Sequence, residues 1–140
     1  MPMNARDELV RSLAGLALFA DLREADLEAI ADPEWERSFA DGERVLRRGL
    51  SGGGLFVILE GEAAVELPGG GEPRRLLRGD FFGEVSTLLE CKPTADVVAR
   101  TSLSCLEIPG PQLEAFLVQY PHVMYRMLQT VARRIRDILE

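Results

Sequence analysis

Apolar positions divide the chain into three zones. Up to about Asp32 they recur at helical intervals, with Leu13, Leu16, Ala17 and Ala20 in one stretch and Leu27 and Ile30 in the next. Asp21 stands where the N-cap of the second helix is expected, since an aspartate oxygen accepts from the free amides of a first turn. Pro33 closes that helix. From Glu34 to Ile108 the apolar period falls to two. Trp35, Arg37 and Phe39 alternate with Glu36 and Ser38. Ala40–Glu43 reads as a turn, Val45 and Leu46 begin another strand, and Arg47-Arg48-Gly49 ends it. Leu55–Leu59 is an unbroken apolar run, which suits a strand covered on both faces. After a turn at Glu60–Glu62, Val65 and Leu67 lead to a hairpin tip at Pro68–Gly71, and Arg75, Leu76 and Leu77 return from it. Gly83–Leu89 interrupts the strands, with Val85, Leu88 and Leu89 at helical offsets. Strand character resumes at Ala95–Ala99 and Leu103–Ile108. Beyond it, Pro111 lies near a helix start with Leu113, Phe116 and Leu117 behind it. Pro121 fits the first turn of a long final helix. There Met124, Leu128, Val131, Ile135 and Ile138 are spaced 4-3-4-3, as in the seam of a short coiled coil. The seam suits either a second copy of the chain or the chain's own barrel.

The expected class is therefore mainly β with flanking helices: short strands broken by glycine turns, in a barrel, sandwich or jelly roll. At 140 residues one domain is expected, with N-terminal helices over 1–33, strands over 34–108 and C-terminal helices over 109–140. A hydrophobic content of 46% excludes disorder as a description of the whole chain. No apolar run approaches the roughly 18 residues of a membrane span. Sixteen Lys and Arg against 23 Asp and Glu give a net charge of −7, which opposes gripping a phosphate backbone, so no nucleic-acid partner is expected. The N-terminus lacks a basic start followed by an apolar run, and Cys91 and Cys105 form no CxxC, so a reduced cytoplasmic setting is expected. His122, the single histidine, builds neither a metal site nor a triad. With no nucleophile beside a general base, an enzyme is not expected, nor is a cofactor.

Most other chemical signals reduce to structure. Gly49–Gly54 (GLSGGG) has no following Lys-Ser/Thr and leads into a strand, so it is a loop and not a phosphate cradle. Cys91 has no base or resolving partner in view and reads as an inert small residue; Cys105 reads as core. Arg133, Arg134 and Arg136 suit the solvated side of a helix near its C-terminal end. The segment Gly79–Ala99 (GDFFGEVSTLLECKPTADVVA) is different. Its Gly83 and Glu84 open a short helix, whose first amides lack internal partners and face whatever lies ahead. Gly83 lets the backbone approach a ligand closely. Glu84 would repel an anion, so its chemistry is to accept from sugar hydroxyls. Amides for a phosphate and a carboxylate for a ribose make a nucleotide-monophosphate site. Spacing alone equally permits Glu84 to be a first-turn acid that favours the dipole.

The sequence resembles the cyclic-nucleotide-binding domain family of catabolite-activator-type regulators, cyclic-nucleotide-dependent kinase regulatory subunits and gated channels. The resemblance runs through Leu18-Phe19, through Phe39 with Gly42-Glu43, Val45 and Gly49, and through Leu55–Ile58 followed by Gly61. It continues in Gly79-Asp80, Phe82-Gly83-Glu84 and Ala95 with Val97. It implies an eight-stranded jelly-roll β-roll of cyclic-nucleotide-binding type, with N-terminal helices, a phosphate-binding cassette over 79–97 and a long C-terminal helix. It also implies residue roles. Gly83, Val85 and Ser86 would offer backbone and hydroxyl donors to the cyclic phosphate. Glu84 would take the ribose hydroxyl, Thr94 would reach the phosphate or base, and Ala95 would give an amide. Met127 and Leu128 would lid the base. The ligand implied is a cyclic mononucleotide, cAMP or cGMP, and no metal is involved.

Two departures accompany the resemblance. The family carries an arginine directly before the Ser/Thr-Ala pair, and here Pro93 stands in its place, with neither charge nor donor. Losing one charge-assisted contact costs on the order of ten- to a hundredfold in affinity. Asp96 adds a negative charge nearby. Lys92 is adjacent but on a strand-like segment points elsewhere, and the sequence leaves open whether Arg78, Arg74 or Arg47 reaches in. No helix-turn-helix, kinase or channel segment follows the final helix, so the expectation is a stand-alone module or a piece of something longer. The reading is a regulatory sensor that relays ligand binding through the C-terminal helix, which is also the expected homodimer surface. The alternative is a degenerate member that binds no nucleotide and serves as a protein-interaction or dimerisation module.

Overall fold

The computed structural model describes residues 2–50 and 53–139. They form two compact units, one over 32–113 and the other made of the described residues up to 31 and from 114 onward.

The first unit carries eight strands: β1 (Glu36–Phe39), β2 (Arg44–Leu46), β3 (Gly54–Glu60), β4 (Ala63–Glu66), β5 (Arg74–Leu76), β6 (Phe81–Phe82), β7 (Asp96–Ala99) and β8 (Leu103–Pro109). They make two four-stranded sheets, ordered β1-β8-β3-β6 and β2-β7-β4-β5. Pairing is antiparallel and nested: β1 with β8, β2 with β7, β3 with β6 and β4 with β5. This is a long ribbon folded at the β4–β5 hairpin and rolled up, as a jelly roll requires. Gly69, Gly70 and Gly71 at its tip all have φ between +86° and +95°, left-handed backbone that other residues resist.

Strand burial follows the sequence pattern. Six of the seven residues of β3 are buried, as its unbroken apolar run predicts. Between the sheets Leu46, Phe56, Ile58, Val65, Leu76, Phe82 and Cys105 pack together, with the Phe56 and Phe82 rings stacked at 5.0 Å. A short helix, α3 (Glu84–Leu88), lies between β6 and β7. Its apolar residues are not core: Val85, Leu88 and Leu89 are exposed, and the buried residue is Ser86. Trp35 falls in a 3-10 turn ahead of β1 and does not begin the strand.

The second unit holds α1 (Ala5–Ala14), α2 (Glu24–Ile30) and α5 (Pro121–Leu139). The boundary between the units falls within α4 (Gly110–Gln119). Asn4 caps α1 by accepting from the Asp7 N–H at 2.8 Å. The helical spacing expected through Leu16, Ala17 and Ala20 is broken: α1 stops at Ala14, and a 3-10 turn spans Ala17–Phe19. Asp21 is not the N-cap of α2. The helix starts after Arg23, whose N–H donates to the Asp26 carboxylate at 3.1 Å. Asp21 instead forms a two-pronged ion pair with Arg126 of α5. That contact holds the Asp21 carboxyl below its usual pKa. On α5 the buried positions are Val123 and Met127. The 4-3-4-3 seam lies on another face, with Met124, Leu128, Ile135 and Ile138 all exposed.

Candidate functional site

Gly83 ends the β6 segment and begins α3. Its φ of +85° is left-handed, and a Cβ there would meet the Gly54 carbonyl oxygen of β3 at 2.5 Å. Both facts demand glycine at this corner. The Gly83 carbonyl then anchors the helix. It accepts from the Thr87 N–H at 3.2 Å, the Thr87 hydroxyl at 2.7 Å and the Ser86 hydroxyl at 3.3 Å. Glu90, at φ +51°, turns the chain out of α3. Pro93 then returns it toward the roll: the residue is buried, and its carbonyl accepts from the Gly49 N–H at 2.9 Å.

These turns enclose a cavity of about 140 Å³. Gly83, Glu84, Val85 and Ser86 line one part of it and Thr94 and Ala95 another, so all six residues singled out from the sequence share one wall system. Pro93 lies between the two groups. Leu46, Val65, Phe82 and Val97 supply apolar walls; Phe82 and Val97 belong to the cassette expected from the sequence, whereas Leu46 and Val65 had no expected part in the site. Strand alternation was the available signal for Val65 and Val97, which face the roll interior. The proposed base lid lies on α5, where Met127 is buried and Leu128 is 62% exposed.

The charges near the segment sort themselves by orientation. Asp96 does not line the cavity. Its carboxylate accepts from Arg44 Nη1 and from the Arg48 N–H, each at 2.7 Å, so its charge is compensated. Lys92 lines a different and larger cavity, about 580 Å³, together with Glu90 and Cys91. Arg47 lines a third of about 330 Å³ with Arg37 and Arg44. Arg78 donates to the Leu59 carbonyl at 2.6 Å. Arg74 alone among these cations lines the cavity that holds Glu84 and Ser86. Of these three cavities the largest is thus not the one where the sequence-predicted groups converge.

The two thiols differ as their positions require. Cys91 is exposed and Cys105 is buried. Burial, reinforced by the Glu107 charge, pushes the Cys105 thiol up to about 12 and keeps it protonated at neutral pH. Among the described residues, no three His, Cys, Asp or Glu side chains assemble into a metal site. None of the described helices is long and apolar enough to cross a membrane.

A cGMP-dependent protein kinase of Toxoplasma gondii is 29% identical over 128 residues, covering 91% of this chain and 13% of the kinase. A protein named as a potassium channel in Rhodopseudomonas palustris is 30% identical over 142 residues, covering 99% of this chain and 32% of that protein. The chain therefore spans a third or less of these relatives. Among solved structures, the regulatory subunit of a cAMP-independent protein kinase A from Trypanosoma brucei superposes with a TM-score of 0.75 at 23% identity. That superposition covers 90% of this chain and 45% of the subunit. At that identity the likeness establishes the rolled fold. The family model for the cyclic nucleotide-binding domain matches residues 36–120, from the first strand of the roll to the end of α4. That span is more than half of the chain, and with it the chain belongs to the cyclic nucleotide-binding domain family.

Proposed function

We propose that this domain is a regulatory sensor that binds a cyclic mononucleotide, cAMP or cGMP, in the cavity beside α3. One observation carries the reading: residues 83–86 and 94–95, from either side of a proline turn, line a single open cavity with apolar walls. In this arrangement the Gly83–Ser86 backbone, the Ser86 hydroxyl and the Ala95 amide are the donors for a cyclic phosphate. Glu84 accepts from the ribose hydroxyl, and Thr94 reaches the phosphate or the base. The cavity is below the roughly 300–1,000 Å³ of pockets that engulf a whole drug-sized ligand. It suits the phosphate and sugar, with Val85 and Leu67 also on its lining, and Met127 and Leu128 are the residues proposed to lid the base.

The role is regulatory and the setting cytoplasmic. Ligand binding shifts α5 between two positions by contacting one of them better. The seam through Met124, Leu128, Val131, Ile135 and Ile138 then joins two copies, so that ligand state alters the dimer surface. In a longer protein the domain would lend its ligand dependence to whatever it is attached to.

Titration calorimetry with cAMP and with cGMP tests the reading. Heat of binding is expected for at least one of them, and Glu84→Ala should weaken it by tenfold or more. Absence of heat at high micromolar concentrations of both ligands would eliminate the sensor. The uncharged Pro93 favours what would then remain, a degenerate member acting as a protein-interaction module.

A further inference from the structure

The cavity beside α3 is lined by one cation that the cassette does not provide, Arg74, which is itself exposed. On β5 the side chains alternate, so Arg74 and Leu76 share a face and Arg75 takes the other. Leu76 is 2% exposed and belongs to the core, which fixes that face as the inner one. Arg74 pairs in register with Val65, which also faces inward and lines the same cavity. Arg75 points away and is held by Glu62 at 2.6 Å. The neighbouring arginines on the same sheet are likewise committed, Arg44 to Asp96 and Glu66 and Arg100 to Glu66. The Arg74 side chain has no hydrogen-bond or ion-pair partner among the described residues. Arg74 thus places an exposed, unpaired guanidinium at the cavity that Glu84 also lines.

We infer that Arg74 is the anion-binding residue of this pocket and holds the ligand's phosphate from the β4–β5 wall. The inference rests on the reading of the cavity as a cyclic-nucleotide site. It deepens that reading by specifying the polarity of the pocket. The guanidinium stands on β5 and the sugar-accepting carboxylate, Glu84, on α3. Leu46, Val65 and Val97 give the same cavity apolar lining. A guanidinium can donate two parallel hydrogen bonds to phosphate oxygens. Pro93 then loses its significance as a missing clamp. It shapes the wall, while the charge arrives from a strand about twenty residues earlier.

The test is calorimetric titration of cAMP and cGMP into the whole chain and into Arg74→Gln, Arg74→Lys and Arg75→Gln, at low and high salt. Arg74→Gln is expected to weaken binding about 10- to 100-fold, the loss of one charge-assisted contact. It should also flatten the salt dependence that the unaltered chain shows. Arg74→Lys should recover part of the affinity, and Arg75→Gln should leave it within twofold. Thermal melts of the variants should coincide with the parent, because Arg74 makes no internal contact that folding needs. Equal affinity and equal salt dependence for the parent and Arg74→Gln would overturn the role of Arg74 while leaving the pocket's function standing. Absence of binding by the parent chain would instead overturn the pocket reading, and this inference with it.

Discussion

Gly83→Ala tests the corner on which the site is built. Two separate penalties fall on this substitution. A left-handed φ costs an alanine about 1–2 kcal/mol, offset by about 0.4–1 kcal/mol because alanine narrows the unfolded ensemble. The new Cβ would also stand 2.5 Å from the Gly54 oxygen, well inside van der Waals contact. The strand or α3 must then move by several tenths of an ångström, an overpacking penalty of about 1–3 kcal/mol. Gly69 separates the two. Its φ of +86° matches the +85° of Gly83, yet a Cβ there meets nothing within 4 Å. Gly69→Ala therefore reports conformational strain alone, about 0–1.6 kcal/mol after the offset. Gly83→Ala should be worse by about 1–3 kcal/mol, which is roughly 4–12 °C in melting temperature for a chain of this size. Thermal unfolding followed by circular dichroism measures both. Equal destabilisation by the two substitutions would refute the close approach of α3 to β3. A drop confined to stability, with cyclic-nucleotide affinity retained at low temperature, would show that the crowded corner does not shape the ligand site.

Three further outcomes follow from the same structure. Pro93→Arg should tighten cyclic-nucleotide binding by restoring a second cation at the turn, since the Pro93 carbonyl that accepts from Gly49 survives the change; calorimetry showing weaker binding would contradict the open cavity beside it. Cys105 has a raised pKa, so its stabilising neutral form is fully present below about 9 and is lost as pH rises toward about 12. Stability should fall across that alkaline window by up to about 4 kcal/mol at its top, less so in Cys105→Ala, and in the folded chain at neutral pH a thiol reagent should label Cys91 only. Finally, sedimentation at tens of micromolar should show a dimer that Val131→Asp returns to monomer; an unchanged distribution would remove the seam of α5 as the contact.

What the sequence determined by itself is local. An unbroken run at Leu55–Leu59 became a buried strand because five consecutive apolar side chains leave neither face for water. Three glycines at 69–71 became the turning point of the rolled ribbon, since only they accept its left-handed backbone. Gly83 and Glu84 marked the start of α3, and the residues around them and around Thr94 came together because a short helix and a proline turn return the chain to the same place. Tertiary structure decided which side chains face inward and which charges meet. Arg74 and Arg75 are adjacent and chemically identical, and only the pairing of Val65 with Arg74 puts one beside the cavity and the other against Glu62. Asp96 resembled a repulsive charge at the site until Arg44, more than fifty residues away, was found to hold it. Asp21 resembled a cap until Arg126 was brought to it across most of the chain's length. A strand's period of two says that neighbours face opposite ways; the register that chooses between them comes from partners distant in sequence, and no local pattern contains it.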